Sequence, residues 1–370
     1  MERRQFLSLA GPTAIAGLVS DATVAQPASA AEGQQRRPVS MYVGSQRGPT
    51  APRMLQFLKR HGVDHVCGYP PRPGERGYWS VEDLRKTRDT CEQHGITLDM
   101  VALPFLTSSH IDGERRGAIM LGSSPERDRD IEQINIMTAN CAKVGIPAWK
   151  YNLSLLGVVR TRPTPGRGGS SYSTWKLSEA TANPPLTKAG RVTAELAWER
   201  ITYFLERVIP VCEEYKIRAA CHPHDPGMPA EGFQGVDRVL GTVEGLKKFV
   251  SIQESPYHGL NLCLGTTAEM LRNPAQEIHD VIRYFGHRNK IFNIHFRNIR
   301  GERDDFQEVY LDNGDMDMLQ VMRTLHEVDY SYMVMADHVP THPDDPGGRE
   351  AYAFAYGYIK ALLHAVGTYG

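Results

Sequence analysis

The sequence predicts an α/β fold, a (β/α)8 TIM barrel in a single domain, with a long loop after strand 4. Three observations predict it. Short apolar or β-branched runs recur along the chain, at intervals of roughly forty residues in its second half. Helical periodicity fills most of the intervals, as a repeated strand–helix unit requires. The last four runs end in His222, Cys263, His295 and Asp337, and reactive side chains of such barrels gather where the strands end.

The elements follow in order. MERRQFL opens the chain, an apolar run extends from Ser8 to Val19, and Ala28-Ser29-Ala30 offers a small-residue cleavage pattern. Residues 1–30 therefore read as a twin-arginine export signal cut after Ala30, which places the protein in the periplasm or outside the cytoplasm. Residues 31–370 form the barrel. VSMYVG (39–44), VDHVCGYP (63–70), TLDMVALP (97–104) and AWKYNLS (148–154) read as strands one to four. Helical patterns at 52–61, 81–94 and 125–144 separate them. The stretch from Leu156 to Val192 breaks the rhythm with Gly, Pro, Ser and Thr. It leaves strand four at the catalytic end, and Arg160, Arg162 and Arg167 on it are placed to meet an anionic substrate or to lie on a solvated surface. IRAACH (217–222), GLNLC (259–263), KIFNIH (290–295) and SYMVMAD (331–337) supply strands five to eight, with helical stretches at 243–250, 275–286 and 317–328.

Composition agrees with this architecture. The chain has 370 residues, 41% of them hydrophobic, and a net charge of −1, enough to bury one large core. Basic residues are scattered without interleaved aromatics, which points away from nucleic acid and membrane surfaces and toward a small-molecule partner. A homo-oligomer fits the reading equally. The six cysteines form no CxxC pair, so a disulfide scaffold is not expected. Cys221 alternates with His222 and should pack outward against helices.

Taken singly, Cys263 reads as a buried thiol and Asp337 as a cap as readily as ligands. Four such residues in register on neighbouring strands read as a ring that holds a metal ion.

Longer motifs sharpen this. CHPHDPG (221–227), ESPYHGLNLCLGT (254–266), NIHFRNIR (293–300), FQEVYLDNGDMDM (306–318) and ADH (336–338) resemble the mannonate dehydratase family of xylose-isomerase-like barrels. YNLSLLGVVRT (151–161) and GYPPRPGERGYWSVEDL (68–84) extend the resemblance into the first half. The resemblance implies a manganese-type ion held by His222, Cys263, His295 and Asp337, the same four residues, with zinc or iron also accepted by such a donor set. It also implies that His338 and Tyr352 stand near the reacting carbons. His224, Arg297 and Asn298 are the candidate substrate contacts. Three departures from the family pattern stand out: HPHDP for HPDDP, MADHV for an RPDHG-like segment, and LGT for TGS after Cys263. The second removes a bidentate carboxylate partner, for which Arg297 or an arginine of residues 160–167 is the candidate substitute.

The expected activity is a hydro-lyase that dehydrates a mannonate-like aldonate to a 2-keto-3-deoxy acid. Removing a proton beside a carboxylate and expelling hydroxide from the next carbon calls for an electrophilic ion and an acid/base pair. A sugar isomerase or epimerase on the same barrel would need the pair without the expulsion of water, and a sugar-binding metalloprotein would need neither.

Overall fold

The computed structural model describes residues 38–229 and 231–369; the export-signal expectation for residues 1–30 lies outside them. Eight parallel strands close into a barrel: β1 (Tyr42–Ser45), β2 (His65–Gly68), β3 (Thr97–Ala102), β4 (Ala148–Asn152), β5 (Arg218–His222), β6 (His258–Cys263), β7 (Ile291–Phe296) and β8 (Met333–Ala336). β8 pairs with β1, Val43 opposite Val334, and this pairing closes the cylinder. All eight strands coincide with the runs expected from the sequence to within a few residues.

Each strand is followed by a helix: α1 (Pro52–Arg60), α2 (Val81–Glu92), α3 (Glu126–Val144), α4 (Ala194–Tyr215), α5 (Val243–Ser251), α6 (Pro274–Gly286), α7 (Met318–Glu327) and α8 (Arg349–Tyr369). Local chemistry sets their starts. At α2, Ser80 Oγ accepts from Asp83 N while the Asp83 carboxylate accepts from Ser80 N, a reciprocal capping box. The pattern read above does not include α4. It begins on Thr193, whose side chain accepts from Leu196 N, and it carries Pro210 inside its length, a residue that argues against a helix in sequence.

Apolar side chains divide into two clusters. The larger fills the layer between strands and helices and contains Cys221, which packs outward as alternation requires. The smaller lies inside the barrel: Cys67, Met100, Ala148, Ala220, Phe292, Met333 and Met335. All six cysteines are buried and free. Among the described residues no helix is long and apolar enough to cross a membrane.

The long loop after β4 carries short paired segments: Thr164–Pro165 pairs with Ser171–Tyr172, and Thr174–Lys176 joins the hairpin Asn298–Glu302/Asp305–Val309 in a three-stranded antiparallel sheet. Phe306 sits opposite Trp175, both buried. The loops after β4 and β7 are thereby fastened together over the barrel rim.

Candidate active site

Two-residue alternation sorts the barrel interior into levels. On β6 and β7, Asn261 and Asn293 lie one level below Cys263 and His295, and Asn293 Nδ2 donates to Asn261 Oδ1. His295 is opposite Cys263 in the β6–β7 register, and His222 is opposite Asn152 in the β4–β5 register. Asp337 follows the last residue of β8.

These side chains converge. The ligand atoms of His222, Cys263, His295 and Asp337 all lie within 4.8 Å of one another. Asp337 Oδ1 is 3.3 Å from His295 Nδ1, and the Cys263 thiol donates to Asp337 Oδ2 at 3.4 Å. Donor atoms bonded tetrahedrally to one ion at 2.0–2.3 Å stand about 3.3–3.8 Å apart, so these two spacings already suit a bound ion. Burial pulls both imidazoles below their ordinary range, so each is a neutral donor. His222 Nδ1 donates to the carbonyl of Pro223 at 2.7 Å, which leaves its Nε2 lone pair free, the tautomer a ligand needs. Burial pushes the Cys263 thiol well above its usual range. A bound ion would displace that proton.

Beside the ring lies a second polar cluster that sequence reading missed. Arg297, fully buried, places Nη2 at 3.0 Å from Asp225, 2.7 Å from Glu269 and 2.8 Å from Thr266 Oγ1. Arg160 reaches in from the loop after β4, its Nε donating to Glu308 at 2.8 Å and its Nη2 lying 2.5 Å from Asp225. Burial would raise the Glu308 carboxyl, but Arg297, His338 and Arg160 hold it down at about 2. Burial and Asp225 push Glu269 up to about 8 against the two arginines. A Cβ at position 265 would stand 2.0 Å from Arg297 Nε, so glycine is required there to admit the guanidinium.

His338 joins the two clusters. Its Nδ1 lies 2.8 Å from both Glu308 Oε2 and Arg297 Nη1. Both bonds cannot use one nitrogen in one protonation state. Burial alone would lower the imidazole, but Asp337 and Glu308 raise it to about 9, so Nδ1–H donates to Glu308 and the arginine is a neighbour. Nε2 is left for the cavity.

That cavity, of about 210 Å³, is lined by His222, His295, Asp337, His338 and Tyr352, and also by Gln46, Arg47, Lys150, Asn152 and Asp225. Arg47 stacks over the Tyr352 ring at 4.1 Å, and burial pushes the Tyr352 phenol up to about 12. His338 and Tyr352 thus both line one cavity.

The three expected substrate contacts do not. Asn298 is buried, and its Nδ2 donates to the carbonyls of Leu311 and Met316. His224 is buried too, with Nδ1 accepting from Leu240 N and Nε2 donating to the Leu153 carbonyl. Arg297 is consumed by carboxylates behind the cavity wall. Their places beside strand ends made them candidates, and backbone and carboxylate partners inside the protein satisfy them instead. The loop arginines divide: Arg160 turns inward, while Arg167 takes the surface alternative and grips Asp312 at 2.6 and 2.8 Å.

Comparison with known proteins adds an independent line. A family model described as D-mannonate dehydratase (UxuA) matches residues 183–369. A mannonate dehydratase of Thermotoga neapolitana is 29% identical, over 76% of this chain and 84% of its own. Mannonate dehydratase 2 of Halalkalibacterium halodurans is 27% identical, over 79% and 88%. The crystal structure of mannonate dehydratase from Streptococcus suis serotype 2 superposes with a TM-score of 0.75 at 23% identity, covering 89% of this chain and 94% of that one.

Proposed function

The chain belongs to the D-mannonate dehydratase family, and we propose that within it the protein dehydrates an aldonate of the mannonate type to a 2-keto-3-deoxy acid. It is a hydro-lyase of sugar acids. The observation that carries the finer reading is that His338 and Tyr352 line one cavity together with His222, His295 and Asp337, three members of the ring that Cys263 completes.

The donor set fits a divalent ion, and we take manganese as the ion, with zinc and iron as competitors for the same nitrogen, sulfur and oxygen atoms. Such an ion would act as a Lewis acid toward negative charge developing beside the substrate carboxylate. The remaining work falls to side chains. His338, held in its charged form by Asp337 and Glu308, is placed to give the Nε2 proton to the hydroxyl that leaves. Tyr352, its phenol kept protonated by burial and with Arg47 over its ring, is placed on the same cavity to donate a hydrogen bond to a substrate oxygen. Arg297 and Arg160 hold Glu308, and Glu308 holds His338.

Incubating the manganese-loaded protein with a panel of aldonic acids, uronic acids and neutral sugars tests the reading. Keto-acid formation that stops when chelator is added is the expected result. Interconversion of isomers without keto acid would overturn it in favour of an isomerase. The N-terminal MERRQFL segment supports export of the folded protein; replacing Arg3 and Arg4 with lysine should retain the protein in the cytoplasmic fraction.

A further inference from the structure

We propose that Lys150 is the group that holds the carboxylate of the sugar acid, and hence a specificity-determining residue; the proposal rests on the sugar-acid reading above. Lys150 lies on β4, buried, and lines the cavity together with the ring and with Asn152, two residues further along the same face. Its register neighbours on both sides are alanines, Ala102 on β3 and Ala220 on β5. A long side chain flanked by two methyl groups has room to rise inside the barrel.

The choice of Lys150 follows from elimination among the cations near the cavity. Arg47 donates Nη2 to the Gly347 carbonyl at 2.6 Å and Nη1 to the Gly348 carbonyl at 3.4 Å, and it is stacked on Tyr352. Arg297 and Arg160 are enclosed by Asp225, Glu269 and Glu308. The Lys150 side chain makes no hydrogen bond and no ion pair with any of the described residues. An ammonium taken out of water without a partner is costly, so a buried unspent one beside an open cavity marks where a partner of opposite charge arrives.

Charge balance points the same way. The Cys263 thiolate and the Asp337 carboxylate would together neutralise a divalent ion, so a filled ring would carry no net charge with which to attract an anion. Of the cations that line the cavity, Arg47 and His338 are held by partners inside the protein, and Lys150 is the one whose charge is left to meet an anion. An ammonium is a point donor without the planar fork of a guanidinium, so it selects a carboxylate by charge and tolerates variation in its orientation.

The test uses the full-length, manganese-loaded protein and two unreactive ligands: a 3-deoxyaldonate, which has no hydroxyl to expel, and its neutral carboxamide. Calorimetric titration of wild-type protein should show the carboxylate bound about tenfold or more tightly, the effect of one charge-assisted hydrogen bond. Lys150→Met should bring the two affinities to within about twofold, with the carboxamide affinity and the bound manganese unchanged. Lys150→Gln, which keeps a polar end and loses the charge, should do the same and serves where the methionine variant fails to fold. Retention of the carboxylate preference in either variant overturns the proposal, as does equal loss of both ligands together with manganese. Wild-type protein that binds both compounds alike also overturns it, while keto-acid formation from aldonates, followed in parallel, decides separately whether the sugar-acid reading stands.

Discussion

The two polar clusters that meet at His338 are built from similar residue types and behave oppositely. In the Arg160–Asp225–Glu269–Arg297–Glu308 network each charge has a partner of opposite sign inside the protein. In the His222–Cys263–His295–Asp337 ring the donor atoms face one another and the cavity, with lone pairs left over. The network is closed upon itself, while the ring is open to a charge from outside. Buried polarity therefore reports a site only where it is left unsatisfied, and the same distinction separates Lys150 from Arg297.

The comparison breaks first on activity. Cys263→Ala should abolish bound ion and lower kcat/KM by about a thousandfold or more while thermal unfolding of the ion-free protein hardly moves, as metal analysis, kinetics and calorimetry will show. If the ring were structural, the melting temperature would fall as far as the activity.

Arg297→Met tests the other cluster. Removing one partner from a buried ion network leaves its carboxylates uncompensated and should cost about 3–5 kcal/mol in denaturant unfolding. A loss under about 1 kcal/mol would mean that solvent reaches the network and that the two clusters differ less than their geometry indicates.

Acid separates the clusters by pH. Glu308, depressed to about 2, contributes stability that is present above the unfolded carboxyl value near 4.5 and is lost as pH falls toward 2. Glu269, raised to about 8, acts with the opposite sign: between pH 8 and about 4.5 the folded chain holds its proton and the unfolded chain does not, so the network gains stability as pH falls. Destabilisation on acidification in that window is assigned instead to buried neutral histidines. His258 is depressed to about 4 and His224 to about 3, so the unfolded chain takes up their protons first, and stability falls as pH drops below about 6.5, by up to about 1.4 kcal/mol per pH unit for each. Unfolding of His258→Gln followed from pH 7 to 4.5 should show a shallower slope than wild type.

The smallest effect belongs to the rim. Arg167 and Asp312 form an exposed pair, and Arg167→Ala should change stability by less than about 1 kcal/mol and leave ligand binding intact. A large loss of activity would restore Arg167 to the substrate contacts.

The ring was legible in sequence because barrel strands repeat: a residue that closes one apolar run shares a level with those that close its neighbours. His222, Cys263, His295 and Asp337 needed only the period and the direction of the strands. The network offered no such handle. Arg160 and Glu308 are 148 residues apart, and they meet because two loops share a sheet that neither loop's composition announces. Asn298 and His224 were misplaced because a polar residue beside a strand end does not encode which way its side chain turns. Lys150 carried a readable signal, a lone cation inside AWKYN on the face of Asn152, since a charged residue in the middle of a buried strand needs a reason to be there. The helix α4 was hidden by Pro210.

The shared sheet over the rim has a consequence for descent as well as for shape. Thr174–Lys176 belongs to the loop after β4, while Asn298–Glu302 and Asp305–Val309 belong to the loop after β7. A lengthened or shortened segment in either loop slips the register of the other, and with it the place of Glu308. The two loops are one heritable unit, free to diverge from the barrel beneath them but not from each other.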